Sequence, residues 1–332
     1  MNKIPSIFPI EEFMAPELTT EITEKYLKAG KAVAHALKLA YQIARPGTNM
    51  GDLAKILEDD ILAQGAEGLA FPANIGLDEI AAHYSPVIKE EQVLPTKGLL
   101  KVDLGAHVDG YVADAAITVN LGKDGGVYQD LIQAAKDALY KAIELAKPGV
   151  NIKTIGMAIQ AEIEKYKGLT PISNLGGHRI SQWDLHGAPF IPNIGSTTDN
   201  YILQEGDQIA IEPFTTNGYG AIRNGKEITI FEVKNIRKKK NMPQSERIRL
   251  QKFKKKFGPF PFSPRWIDFI PQDRINDIIL KYHRQGIIQG YNVFVERAHG
   301  LVAQHEHTLL ITKEGAIPTT WWEDFDYHSL WK

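Results

Sequence analysis

Cysteine is missing from all 332 residues. Disulfides, zinc–thiolate centres and thiol nucleophiles are therefore excluded, and any metal must rest on His, Asp or Glu, donors that suit hard or borderline divalent ions. Long apolar runs are missing too: no stretch approaches the ~20 residues that a membrane helix requires. Near the start, Ile7, Phe8 and Ile10 stand among Pro5, Pro9, Glu11 and Glu12, so neither the basic beginning nor the apolar centre of a signal peptide is present. Nor is there an excess of one charge, with 38 basic residues against 40 acidic ones. The expectation is a soluble, cytoplasmic, monomeric protein with no membrane partner.

What is there begins with a repeat. Leu37, Ala40, Ala44, Arg45-Pro46-Gly47 and Asn49 return at a constant offset of 102 as Leu139, Ala142, Ala146, Lys147-Pro148-Gly149 and Asn151. Each copy predicts a helix stopped by Pro-Gly and then an amphipathic helix, because proline cannot continue the first. Leu53, Ile56, Leu57 and Ile61 mark the apolar face of one second helix, and Ile152, Ile155, Ile159 and Ile163 that of the other. Two copies imply a pseudo-symmetric domain, since a solenoid needs more.

Strand-like sequence follows each helical pair. Leu99–His107 and Tyr111–Val119 flank Asp109-Gly110, a strong hairpin signal. Further strands are expected near 208–215, near 226–234 and over Gly300–Thr312. Residues 235–298 break the pattern with a basic start, Pro259, Pro261, Pro264 and Pro271, a helix over Arg274–Arg284 and a short strand over Asn292–Val295. They read as an inserted helical subdomain. The division is thus 1–23 as an N-terminal extension, 24–234 with 299–313 as the main domain, 235–298 as the insertion, and 314–332 as an aromatic tail.

The hairpin carries the first chemical signal. A two-residue turn at 108–109 sets Asp103 directly opposite Asp114, with Cβ atoms about 5 Å apart, whereas a turn at 109–110 makes them diagonal neighbours at roughly 7–8 Å. Either way two carboxylates share one face of an apolar sheet, which is costly unless a cation, a Lys or Arg partner, or solvent relieves it. Three other features favour a cation. Gly176-Gly177-His178 lies in a glycine-rich stretch suited to close approach, and Glu212 and Glu306 each end or interrupt an apolar strand. Four carboxylates and one imidazole form a coherent ligand set whose charge balances two divalent ions, with cobalt, manganese, iron and zinc all compatible. Two such ions can clamp a carbonyl through a tetrahedral transition state.

At this point the sequence resembles the type II methionine aminopeptidases. The motifs Ala82-His83-Tyr84-Ser85-Pro86, Lys101-Val102-Asp103, Asp114, Gly177-His178, Leu185-His186-Gly187, Glu212-Pro213-Phe214 and Glu306-His307-Thr308 follow that family's order and intervals over roughly residues 24–313. The resemblance implies an α+β, pseudo-symmetric pita-bread fold with an inserted winged-helix-like subdomain, and hydrolytic removal of the initiator methionine from Met-Xaa termini of nascent chains. It implies that Asp103, Asp114, His178, Glu212 and Glu306 hold a pair of divalent ions. It gives Glu212 the proton of the attacking water, places His83 and His186 on the substrate carbonyl or scissile amide, and has Phe71 and Leu185 line the methionine pocket. Arg179, Ser181, the Thr215–Gly220 loop and His305 depart from the family's commoner residues. Proline-specific peptidases of the same fold usually carry a separate N-terminal domain, for which the first 23 residues leave no room.

His307 follows a candidate ligand and is expected on the opposite strand face. His35 is expected to pack or face solvent. Between Lys234 and Lys256 the chain holds eleven Lys or Arg and only Glu246 as an acid. Leu250, Phe253 and Phe257 would bury one face of a helix there and leave the lysines outward. That block is a solvated helix or, on the functional reading, a ribosomal RNA contact.

Overall fold

The computed structural model describes residues 18–122, 125–196, 198–234 and 242–321. The basic run 237–240, the residues before 18 and the tail beyond Trp321 lie outside the described residues. Helices α1 (Thr20–Ile43) and α2 (Met50–Ala63) lead into β1 (Gly68–Leu77), β2 (Ile80–Ala82), β3 (Leu99–Val108) and β4 (Tyr111–Asn120). Helices α3 (Val127–Leu145) and α4 (Ile152–Ile163) lead into β5 (Thr170–Pro171), β6 (Gly177–Ser181), β7 (Asp184–Ile191), β8 (Gln208–Ile211), β9 (Phe214–Thr216) and β10 (Ile222–Val233). Then come α5 (Gln244–Phe257), α6 (Gln272–Arg284), β11 (Ile288–Glu296), β12 (Val302–Gln304), β13 (His307–Thr312) and β14 (Gly315–Pro318).

The repeat persists down to single hydrogen bonds. Asn49 caps α2 by accepting from Asp52 N, and Asn151 caps α4 by accepting from Lys153 N. Gly47 and Gly149, at φ +87° and +88°, make the turn that only glycine takes without strain. Each donates its N–H to a leucine carbonyl 2.8 Å away, on Leu94 and Leu203 respectively. The first pair of helices buries its apolar face on β1, β3 and β4, and the second on β8 and β13. One expectation fails within α2: Ile56 is 45% exposed. Met50, Ala54 and Glu58 complete the inward face around Leu53, Leu57 and Ile61, which leaves Ile56 on its rim.

Among the described residues the strands form four sheets, ordered β1-β3-β4, β10-β11-β2, β12-β9-β5 and β14-β13-β8-β6-β7. The hairpin is resolved in favour of a turn at Asp109-Gly110, with Val108 paired to Tyr111 and both turn residues at positive φ, the geometry that suits the twist of the flanking strands. The expected strand Gly300–Thr312 is broken at His305-Glu306, and the strand near 208–215 at Glu212-Pro213. β9 and β12 pair in one sheet while β8 and β13 pair in another, so both chains turn a corner together at the glutamates.

Between β10 and β11, helices α5 and α6 bury a core of their own in which Leu250, Phe253 and Phe257 turn inward with Ile275, Ile279 and Tyr282, while Lys252, Lys254, Lys255 and Lys256 stay exposed. The helix expected at Arg274 begins at Gln272, and the strand expected over Asn292–Val295 extends to Ile288–Glu296 because it pairs along most of β10. Part of the stretch read as a tail also has a place: Gly315–Pro318 pairs with β13 as an edge strand, a segment too short and too rich in Gly and Pro to announce itself. No helix among the described residues is long and apolar enough to cross a membrane.

Candidate metal centre

Because the turn falls at 109–110, Asp103 pairs with Ala116 and Asp114 with Gly105. The two aspartates are therefore diagonal neighbours on one face, the wider of the two spacings considered. Glu306 is drawn onto the same face from the corner, where its N–H donates to Ala116 O at 3.0 Å. Thr308 Oγ1 clasps the residue opposite, accepting from Asp114 N and donating to Asp114 O, both at 2.8 Å. Glu212 arrives from the other corner, and Gln304 Nε2 donates to Glu212 and to Glu306, both at 3.2 Å. Gln304 is itself held by Thr118, whose hydroxyl bonds its backbone N and O at 2.8 Å each.

His178 enters on β6, wedged between β7 and β8. An added Cβ at Gly177 would sit 2.0 Å from Ala210 O, and one at Gly176 2.5 Å from Ile191 O, so the glycine stretch does permit the close approach. His178 Nδ1 lies 3.3 Å from Arg179 O; donating there, it leaves Nε2 as the lone-pair nitrogen, the arrangement common to metal-binding histidines. That Nε2 is 3.6 Å from Asp114 and 4.0 Å from Glu212. Donor atoms of Asp114, His178 and Glu306 all lie within 4.8 Å of one another, and Asp103 and Glu212 line the same cavity.

Burial raises the Asp103 pKa to about 7. It lifts Asp114, Glu212 and Glu306 well above the carboxylate range, with the neighbouring carboxylates adding to the effect. Burial also lowers His178 to about 3. No Lys or Arg among the described residues forms an ion pair with these groups: Lys101, buried one turn of the pleat away, donates instead to Asp78 O at 2.6 Å. One oxygen each of Asp103, Asp114 and Glu306 is buried without a hydrogen-bond partner. Unpaired anionic oxygens converging on a single point are what a multivalent cation requires, so the donor set fits divalent metal.

The cavity above has a volume of about 600 Å³. His83 stands at φ +65°, a strained backbone that Thr229 holds by donating to His83 O at 3.3 Å and accepting from Ser85 N at 3.0 Å. Its ring packs on Phe294 at 4.3 Å, and burial lowers its pKa to about 4, so it is neutral. His186 lies at the solvent-accessible mouth, 4.6 Å edge-on from the His178 ring, and desolvation of the ring keeps its pKa below the usual value. The apolar end holds Phe71 and Leu185, clustered with Phe260. The Phe71 ring covers Gly105, where an added Cβ would meet it at 2.1 Å.

All the candidate residues thus border one cavity. Sequence reasoning missed Gln304, which strand alternation places on the face of Glu306, and it missed Asn74, Pro261, Tyr291 and Phe294, which also line the cavity. His307 is buried away from the cavity, its Nδ1 2.7 Å from Thr320 Oγ1, and His35 sits on the surface 2.7 Å from Asp60.

Residues 24–313 match metallopeptidase family M24. The chain belongs to metallopeptidase family M24. Within M24, a methionine aminopeptidase from Pyrococcus horikoshii is 39% identical over 298 residues, 90% of this chain and 99% of its own. A solved methionine aminopeptidase from Thermotoga maritima superposes with a TM-score of 0.68 at 23% identity, over 93% of this chain and all of that one. A thermophilic Arx1 superposes at 0.80 with 18% identity over 93% of both chains, a likeness of fold alone. The α+β arrangement described above is the M24 pita-bread fold, and the buried acid–imidazole cluster is a potential metal site of the kind a metallopeptidase needs.

Proposed function

We infer that this chain is a metal-dependent methionine aminopeptidase, hydrolysing the first peptide bond of Met-Xaa termini on nascent proteins. One observation carries the reading: four buried carboxylates and a lone-pair imidazole face an apolar-ended cavity of about 600 Å³, in a chain 39% identical to a methionine aminopeptidase over nearly that protein's full length. Asp103, Asp114, His178, Glu212 and Glu306 would hold the metal, two divalent ions by the balance of charge, of cobalt, manganese, iron or zinc. Such ions polarise a carbonyl and make water a stronger nucleophile at neutral pH.

The protein's own groups do the rest. Phe71 and Leu185 receive the methionine side chain. Glu212 takes the proton of the attacking water and returns it to the leaving amine. His83 and His186 are neutral N–H donors placed to stabilise the oxygen on which negative charge develops. The basic stretch 234–256 would serve as a contact to the ribosome from a cytoplasmic monomer, a role supported by its charge density and by a substrate that emerges there. Cosedimentation with ribosomes should then weaken steeply with salt, as phosphate contacts do. Purified protein incubated with each of the four metals should cleave Met-Ala-Ser and leave Xaa-Pro peptides intact. Preference for Xaa-Pro would assign it instead to a proline-specific peptidase.

A further inference from the structure

The walls of the apolar end come from segments far apart in the chain, and a largely buried ion pair bridges them. Glu58 on α2 is 5% exposed. Its Oε1 accepts from Ala73 N at 3.1 Å and from Arg265 Nη2 at 2.7 Å, and its Oε2 accepts from Arg265 Nη1 at 3.0 Å and from Trp266 Nε1 at 2.9 Å. Two further donors of Arg265 are used: Nε donates to Pro86 O at 2.8 Å, and Nη2 reaches Ser85 Oγ at 3.3 Å.

Each contact lies beside a residue that lines the cavity. Ala73 sits between Phe71 and Asn74, where β1 slips register against β3, so the strand ladder alone does not fix it. Ser85 and Pro86 follow the strained His83. Arg265 stands four residues after Pro261, which the insertion contributes to the cavity, and next to it Phe260 packs with Phe71 and Leu185. One carboxylate and one guanidinium thus hold β1, the His83 turn and the insertion at fixed separations. The bidentate fork imposes direction as well as distance.

We propose that Glu58 and Arg265 are positioning residues that set the width of the pocket for the first side chain, and so its preference for methionine. The proposal rests on the aminopeptidase reading above. It is tested by measuring kcat and KM for Met-, norleucine- and Leu-Ala-Ser peptides with the wild type, Glu58→Gln and Arg265→Lys, alongside manganese(II) titration by calorimetry. Glu58→Gln keeps the shape and loses the charge, and Arg265→Lys keeps the charge and loses the fork. Both should raise KM for the methionine peptide about fivefold or more with kcat within about twofold, and reduce the preference for methionine over leucine about tenfold, the scale on which a methylene in a pocket counts. Manganese affinity should stay unchanged.

If those variants do not fold, Trp266→Phe, which removes only the indole donor to Glu58, should show the same shift in preference at smaller size. A folded variant with an unaltered Met-to-Leu ratio overturns the proposal while leaving the aminopeptidase reading intact. Loss of manganese affinity in step with activity also overturns it, by assigning the pair to the metal centre. A wild type inactive on every methionine peptide instead overturns the reading on which the proposal rests.

Discussion

The two halves of the molecule deliver their carboxylates by different means. In the first half, Asp103 and Asp114 lie on regular, continuous strands joined by a two-residue turn, and their spacing is set by the register of one hairpin. In the second half, Glu212 and Glu306 lie where strands stop: β8 gives way to β9 and β12 to β13 as the chain passes from one sheet to the next. The hairpin is maintained by its own ladder. The corner needs help from outside the ladder, supplied by Gln304 between the two glutamates and by Thr118 and Thr308 reaching across from or to β4. Local pairing suffices to present two charges side by side, whereas bringing two more over them requires the chain to leave its sheet.

The largest effects should come from removing one carboxylate charge in each half. Asp114→Asn and Glu306→Gln should each reduce kcat/KM on Met-Ala-Ser by at least ~10²–10³-fold and lower the metal stoichiometry seen by calorimetry. Both should also raise the melting temperature of the metal-free protein, because each removes a buried carboxyl whose ionisation is penalised by desolvation and by neighbouring carboxylates. Full activity in either variant would remove that residue from the ligand set and make one half dispensable.

Glycine substitutions separate the halves further. An added methyl at Gly105 meets the Phe71 ring, which can swing aside, but at Gly177 it meets a backbone carbonyl 2.0 Å away, which cannot. Gly177→Ala should cost about 2–4 kcal/mol in denaturant unfolding and weaken metal binding through His178, whereas Gly105→Ala should spare metal affinity and raise KM. Equal losses of metal in both would contradict the contrast.

Gln304→Ala tests the corner alone. It should lower metal affinity ~10-fold or more, within the range seen when partners of ligands are removed, and leave the hairpin's hydrogen-exchange protection unchanged.

The smallest and broadest effect is one of pH. In the metal-free protein, Asp103 keeps its proton up to about pH 7, whereas the unfolded chain releases it at about pH 4. Between those values the native state binds more protons, so its stability falls as pH rises. Metal displaces those protons, so its affinity should climb over the same interval. Melting temperatures with a chelator and with manganese(II) should therefore diverge from about pH 4 to about pH 7; parallel curves would mean that the carboxylates ionise freely without metal.

Legibility followed the range of the interactions. The Pro-Gly stops are set within a few residues and could be read directly; Asp109-Gly110 announced the hairpin but left its turn open between 108–109 and 109–110, and Asn49 and Asn151 stood out in the repeat without their capping role. The inward face of α5 was equally plain, since Leu250, Phe253 and Phe257 follow helical periodicity. Ile56 was misplaced because a helix's apolar stripe has a rim that periodicity does not mark. The breaks at Glu212-Pro213 and His305-Glu306 looked like continuous strands, because a change of sheet depends on which neighbour supplies the next hydrogen bond. Gln304 was passed over for the same reason: an amide acquires a role only when two distant carboxylates lie within its reach.

The sequence alone determined the kinds of donor available for a metal, the absence of any thiol, the internal repeat and the side of the hairpin that bears two aspartates. These follow from composition and short-range periodicity, which every residue carries with it. Tertiary structure alone decided that Glu212 and Glu306 close over that hairpin, that His178 presents Nε2 to them, and that the insertion supplies Pro261 to the cavity and is bolted there through Arg265 and Glu58. Those outcomes depend on contacts between segments 194 and 207 residues apart, where distance along the chain says nothing about distance in space.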